Sequence, residues 1–391
     1  MKRILMALIF LASFAQANAQ WFNLTSPTTT HLYSTYFANY DTGYAVGGNI
    51  NSSVFLKTVN GGSNWYLITN IQTQWLYDVV FLNDTVGLAC GYDGAMYKTS
   101  DAGVNWVAKP SQTTAWLYSI AKKPDGIIYA TGTDGALIKS INGGDNWTNV
   151  TSNTAQTMLD LQFYDNNYGA AVGYNGEMIY TTDGGNNWAV KLMGTSNSIT
   201  GVWMLSPDTI FTCAAAGNIY KTTNAGASFS YVNNGPNDLN SIFFPDNNNG
   251  YAVGTQKIYQ TTNGGVNWSE MTPLPTANSL KDIFVSSDNA VMYAVGNNGT
   301  IIKNINTIGI EENEIKELAI YPNPTTGLIY IPVKANSRIN VLNLNGAQVK
   351  SVDFVNEDVI ELNLNALADG TYIVQCVQNN RSSYGRVVLK K

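Results

Sequence analysis

Three short runs set residues that could bind or transfer protons side by side: His31-Leu32-Tyr33, Trp75-Leu76-Tyr77-Asp78 and Trp116-Leu117-Tyr118. Aromatic faces stack on the C–H surfaces of sugars, while carboxylates accept hydrogen bonds from their hydroxyls. Asp160 and Asp282 fall where Asp78 falls in the same local pattern. Cleaving a glycosidic bond needs two carboxylates roughly 5 to 9.5 Å apart. Residues 20–309 offer sixteen aspartates and only Glu177 and Glu270 as glutamates, with nothing to single out a pair. Other chemistry is thin. One histidine and three scattered cysteines (Cys90, Cys213, Cys376) make no metal set, and neither a nucleophile elbow nor a phosphate loop occurs. The expectation is no catalytic residue, no metal and no cofactor.

The elements that must position these residues show as a repeat. The runs TVNGGSNW, TSDAGVNW, SINGGDNW, TTDGGNNW, TTNAGASF and TTNGGVNW end at Trp65, Trp106, Trp147, Trp188, Phe229 and Trp268, spaced by 41 residues and then, at the last step, 39. A fixed period of this length marks a repeat architecture. About 18 residues before each aromatic lies an apolar run such as GYAVG (43–47) or GLACG (87–91), and seven such runs occur. Flanking apolar segments, among them LYDVVF (76–81) and AMYKT (95–99), complete each unit. Short apolar runs between Gly, Asn and Asp read as strands and turns, and no segment keeps a helical period. Seven units of four strands predict an all-β, seven-bladed β-propeller over residues 20–309.

The Asn/Asp-Gly-Gly run then joins the third strand of a blade to the fourth. Its first residue (Asn60, Asp101, Asn142, Asp183, Asn224, Asn263) is expected to accept backbone N–H groups two residues on. Gly supplies the positive φ of the turn, and the Trp packs on the blade. Asn replaces Asp freely, so the turn is scaffold and not a base. These repeats resemble the Asp-box, or BNR, motif of sialidases and other propellers, and that resemblance implies a structural box away from the active face. Sialidases hold a substrate carboxylate with arginines, whose planar fork binds it bidentately. The propeller segment has no Arg, which argues against that activity. Spacing and the GYAVG and TTDGGNNW elements are also similar to the photosystem II assembly and stability factors, a family that uses an Arg-bearing patch on its partner; here only the fold carries over.

In a propeller the loops entering each inner strand gather on one face around the channel. The Trp and Tyr of the three opening runs would meet there on blades one to three, beside Asp78, Asp160 and Asp282, as a candidate ligand site of His31, Tyr33, Trp75, Tyr77, Asp78, Trp116 and Tyr118. The other reading of those rings is padding between neighbouring blades. The seventh unit lacks its fourth strand, and WFNL (21–24) carries a Trp fit to supply it, closing the ring and removing an open edge.

The ends add an address. Residues 1–19 have Lys2 and Arg3, an apolar run from Ile4 to about Phe14 and an Ala17-Asn18-Ala19 cleavage site, as a secretory signal peptide does. No other stretch approaches a membrane span. An acidic linker at 310–318 breaks the repeat. Residues 319–391 alternate apolar residues as a small β-sandwich does. Tyr321-Pro322-Asn323-Pro324 with Gly327, the Asn343 to Gly346 turn, and the segment from Leu364 through Gly370 to Tyr372 resemble the C-terminal sorting domain of the type IX secretion system of Bacteroidota. The resemblance implies export by that machinery to the cell surface or the medium.

Residues 20–309 carry 11 Lys and 18 acidic residues, a net charge of −7, which repels nucleic acid and anionic membranes. The sequence reads as a secreted or cell-surface propeller that binds a glycan or a surface protein without catalysis. Its alternative is a polysaccharide-cleaving propeller hydrolase with an unidentified Asp pair.

Overall fold

The structure is a computed structural model that describes residues 21–69, 71, 75–305, 318–332, 337–343, 348–354, 359–378 and 381–391. The expected signal peptide with its expected cleavage site near Ala19, most of the expected linker, and Gly346 lie outside them. Contacts divide the chain into two units between Thr307 and Ile308.

The first unit is a seven-bladed propeller of four-stranded antiparallel sheets. Blade two is typical: an inner strand Leu76–Phe81, then Gly87–Gly91, Met96–Thr99 and the short outer strand Val107–Ala108. In blades one to six the second strands are buried along their whole length, because neighbouring sheets cover both faces. Hence they read as continuous small apolar runs and not as alternating ones. Blade seven draws its outer strand from the other end of the chain. Trp21–Asn23 pairs with Ile301–Ile305, Trp21 opposite Asn304, and Trp21 is buried in that blade's core. The ring is thus closed by hydrogen bonds between its two termini.

The Asn/Asp turns differ in one detail from expectation. The side chain of Asp183 accepts the N–H of Asn187, four residues on and not two. The Thr181 hydroxyl donates to Asp183 and accepts from the N–H of Gly185. Two side chains therefore span the tip together, and the loop is wider than a two-residue hairpin. Asn60, Asp101, Asn142, Asn224 and Asn263 each accept the N–H four residues on in the same way. Gly184 and Gly185 both take positive φ, as do Ala102 and Ala225 where Ala replaces the first Gly. The turns also bind the preceding blade: Lys57 Nζ and the Tyr44 hydroxyl both donate to the carbonyl of Ala102.

In the second unit, Leu328–Pro332 pairs with Val359–Asn363, and a four-stranded sheet contains Ser337–Leu342, Gln348–Phe354, Gly370–Gln378 and Arg381–Leu389. Ile329, Ile331, Ile360 and Leu362 of the first sheet share one core with Ile339, Val341, Val374 and Val387 of the second. The opening motif is pinned to the last strand. Asn323 donates to the carbonyl of Arg386 and accepts the N–H of Val388. Gly327 has φ 143°, and a side chain there would collide with Asn365. Tyr321 stacks on Tyr330, beside Pro322 and Pro324, and the Tyr372 hydroxyl, two residues past Gly370, donates to the carbonyl of Ala368.

Candidate functional site

Each inner strand begins at one end of the channel, here called the mouth. The residue before that strand is fixed by a backbone clamp. A Gly at the end of the second strand (Gly47, followed by Gly48, in blade one; Gly91 and Gly132 in blades two and three) lies so close to the carbonyl of His31, Trp75 or Trp116 that any Cβ there would collide with it. The next N–H then donates to that same carbonyl, from Gly48, Tyr92 and Thr133 at 3.0 Å. The glycines are needed for close approach, and they set the backbone that carries the aromatic side chains.

The clamps bring His31, Tyr33, Trp75, Tyr77, Trp116 and Tyr118 to one sector of the mouth. Trp75 and Trp116 lie 6.3 Å apart at 29°. Tyr92 stands between them, 5.3 Å from Trp75 and 4.9 Å from Trp116. Tyr33, Tyr77 and Tyr118 form a second row, with centroids 5.4 and 4.7 Å apart. His31 meets Tyr33 edge-on and accepts the N–H of Asn298 on its Nδ1. Burial pushes the phenols of Tyr77 and Tyr118 up, Tyr118 to about 12, so they stay neutral hydroxyls. Trp116 remains 38% exposed and Tyr174, on the next blade, 42%. Tyr92 and Tyr174 were missed in the sequence. The signal was the GYDG (91–94) and GYNG (173–176) turns, which follow the second strand and open on the same face.

The carboxylates have another role. Asp78 accepts from the Ser34 hydroxyl at 2.7 Å and from the N–H groups of Val79 and Ile120 at 2.8 and 2.9 Å. Asp160 accepts the N–H of Val202, and Asp282 that of Thr35 across the closing seam. Each aspartate therefore ties its blade to the next. Ser119 and Ser241 extend the girdle to Asp160 and Asp282. Burial pushes Asp78 up to about 7 and Asp282 to about 6 against these donors, and raises Asp160 as well. The ligand contact expected of Asp78 does not fit this arrangement, because both its oxygens are already engaged by the protein. The channel at this level measures about 110 Å³. That is below the 300 Å³ or so of ordinary ligand pockets.

A larger cavity of about 470 Å³ opens at the other end of the channel, where the Asn/Asp turns lie, and the sequence reading did not foresee it. Its walls include Phe37, Tyr40, Trp203, Phe243 and Phe284. The last three occupy the fifth position of the inner strands of blades five, six and seven, where blades two to four carry Val80, Ala121 and Gln162. No charged side chain lines it, and its Tyr40 and Ser286 hydroxyls donate to Asp288.

Comparison with known proteins agrees with this architecture. Residues 319–390 match the family described as the secretion system C-terminal sorting domain. That tail is a type IX secretion sorting domain. A sorting domain of this kind directs its chain to the secretion machinery, and so to secretion or the outer surface. Residues 139–236, ahead of the sorting domain, match the photosynthesis system II assembly factor YCF48. Among solved structures, "YCF48 bound to D1 peptide" is 17% identical with a TM-score of 0.62, covering 73% of this chain and 94% of that one. YCF48 from Cyanidioschyzon merolae is 19% identical with a TM-score of 0.61, covering 73% and 99%. PorZ of Porphyromonas gingivalis, described as an essential bacterial surface component of the type IX secretion system, is 12% identical with a TM-score of 0.54, covering 90% of this chain and 58% of that one. At these identities the likeness establishes the propeller fold. No curated protein matches the chain. Among the described residues no helix is long and apolar enough to cross a membrane, and no cluster of His, Cys, Asp or Glu is fit for a metal ion.

Proposed function

We propose that the propeller is a non-catalytic binding module, delivered to the surface or the medium by its sorting domain, and that its mouth takes a glycan. The observation that carries this reading is the Trp75–Tyr92–Trp116 cluster. These rings belong to individual blades and not to the repeat, and Trp116 keeps an exposed face. Rings so placed offer C–H stacking surfaces, and the neutral phenols below them offer hydroxyl partners. A surface protein is the second reading, favoured by the uncharged 470 Å³ cavity at the other end, whose rings suit apolar side chains. The hydrolase alternative loses support, because Asp78, Asp160 and Asp282 are engaged in bridging blades.

The test is retention of the full mature chain on a panel of soluble polysaccharides, beside the double variant Trp75→Ala/Trp116→Ala. Saturable retention that the folded variant loses, without release of shorter products, is the expected result. Product release would return the hydrolase. Retention unchanged in the variant would remove the mouth from the account.

A further inference from the structure

The second positions of the seven inner strands form a ring around the mouth: Tyr33, Tyr77, Tyr118, Leu159, Thr200, Asn240 and Lys281. Three blades contribute phenols, and the blade that adjoins the first of them contributes an ammonium. Lys281 differs from the lysines that tie blade to blade, and while Lys139 and Lys191 also show no acceptor among the described residues, Lys281 is the lysine in the ring around the mouth. Lys57, Lys221 and Lys303 each donate to a backbone carbonyl of the next blade. Lys281 has no acceptor within hydrogen-bond or ion-pair distance among the described residues. Its neighbours in the ring are spoken for: Thr200 donates to the carbonyl of Leu239, and Asn240 to that of Leu280. Asp282, directly after it, faces Thr35, Ser241 and its own strand. Burial holds the Lys281 pKa below the ordinary value, against the field of Asp238, which raises it. A half-buried ammonium with its donors unused is costly unless something else accepts from them.

We infer that the glycan of the mouth is an acidic sugar, whose carboxylate meets the Lys281 ammonium while its ring lies on the aromatic sector. The inference rests on the glycan reading and narrows it. Charge and ring faces are supplied from adjoining blades around one opening, as a uronate presents a carboxylate on the rim of a stackable ring. The propeller's net charge of −7 opposes anions at long range, but salt screens that term far more than a short contact with a half-buried group.

The experiment compares oligomers of galacturonate, glucuronate and mannuronate with their methyl esters, which keep the rings and lose the charge. Binding to the full mature chain is read by Trp fluorescence. At least one acidic oligomer should bind about tenfold more tightly than its ester, since a hydrogen bond to a charged group is worth at least that factor. Lys281→Gln should erase the preference by weakening the acid far more than the ester, and Lys281→Arg should keep it. Trp75→Ala/Trp116→Ala should weaken both forms. Equal binding of acid and ester, a preference that survives Lys281→Gln, or binding confined to neutral polysaccharides or acidic peptides would overturn the inference. Neutral-polysaccharide binding would leave the glycan reading standing; loss of all sugar binding would remove both.

Discussion

Aspartate does opposite work at the two ends of the propeller. At the turn end, Asp101 is exposed and Asp183 partly exposed, and the N–H and amide of Asn105 and Asn187 hold them below the usual carboxylate range, Asp101 at about 2. Asn fills the same slot at positions 60, 142, 224 and 263. Toward the mouth, Asp78, Asp160 and Asp282 are enclosed, raised by burial, and each ties one particular blade to its neighbour. The turn needs only an oxygen acceptor, so the repeat tolerates either residue. The girdle needs an acceptor for several converging donors at a given seam. What repeats in this chain builds the blade; what differs between blades closes the ring and furnishes the proposed site.

The seam between blades one and seven is where this contrast breaks most readily, because no Asn/Asp turn with its aromatic was found in the seventh repeat. Deleting residues 21–26 should cost the most, at least about 4 kcal/mol, since burial of a Trp alone accounts for 3–5 kcal/mol. A chemical-denaturation midpoint unchanged by the deletion would show that the ring does not depend on its closing strand. Asp282→Ala comes next. It strands the N–H groups of Thr35 and Ile283 and the Ser241 hydroxyl, for a loss of about 3 kcal/mol. A loss below about 0.5 kcal/mol would mean that water replaces the girdle.

The pH dependence sharpens the same contrast. Asp78 at about 7 and Asp282 at about 6 stand above their unfolded value of 3.8. Between pH 4 and 7 the folded chain therefore holds protons that the unfolded chain has released. Stability from these two groups is full below pH 4 and declines as pH rises through that window. Asp101 and Asp183, held low, act with the opposite sign, and their contribution fades only as pH falls below about 4. The Tm should drop from pH 4.5 to 7, and Asp78→Asn/Asp282→Asn should flatten that slope. A Tm that rises over this range in both proteins would contradict the burial argument. The smallest effect is expected of Asp183→Asn, within about 0.5 kcal/mol, since Asn at the same turn position keeps the acceptor at the surface.

The blades were legible because their period, their turn residues and their buried second strands are all local patterns. Even the closing strand could be placed from the Trp at position 21. The aromatic sector was legible in part, since the WLY runs sit at one register, whereas Tyr92 lies on a different turn that only the fold brings alongside. The role of Asp78 was not legible. Its donors, Ser34 and Ile120, come from the blades on either side, 44 and 42 residues away. The cavity at the turn end escaped for a related reason: Trp203, Phe243 and Phe284 each read as one apolar residue in its own strand, and they converge only when the ring closes.

The central claim is that ligand recognition belongs to the mouth and not to the repeated turns. The chain has nine tryptophans, and their indole N–H signals can be followed by NMR in the full mature protein during titration with a retained polysaccharide oligomer. The account predicts shifts of the Trp75 and Trp116 signals, with Trp106, Trp147 and Trp188 of the turns unmoved. Shifts confined to Trp203, or to the turn tryptophans, would place recognition at the opposite end and contradict it.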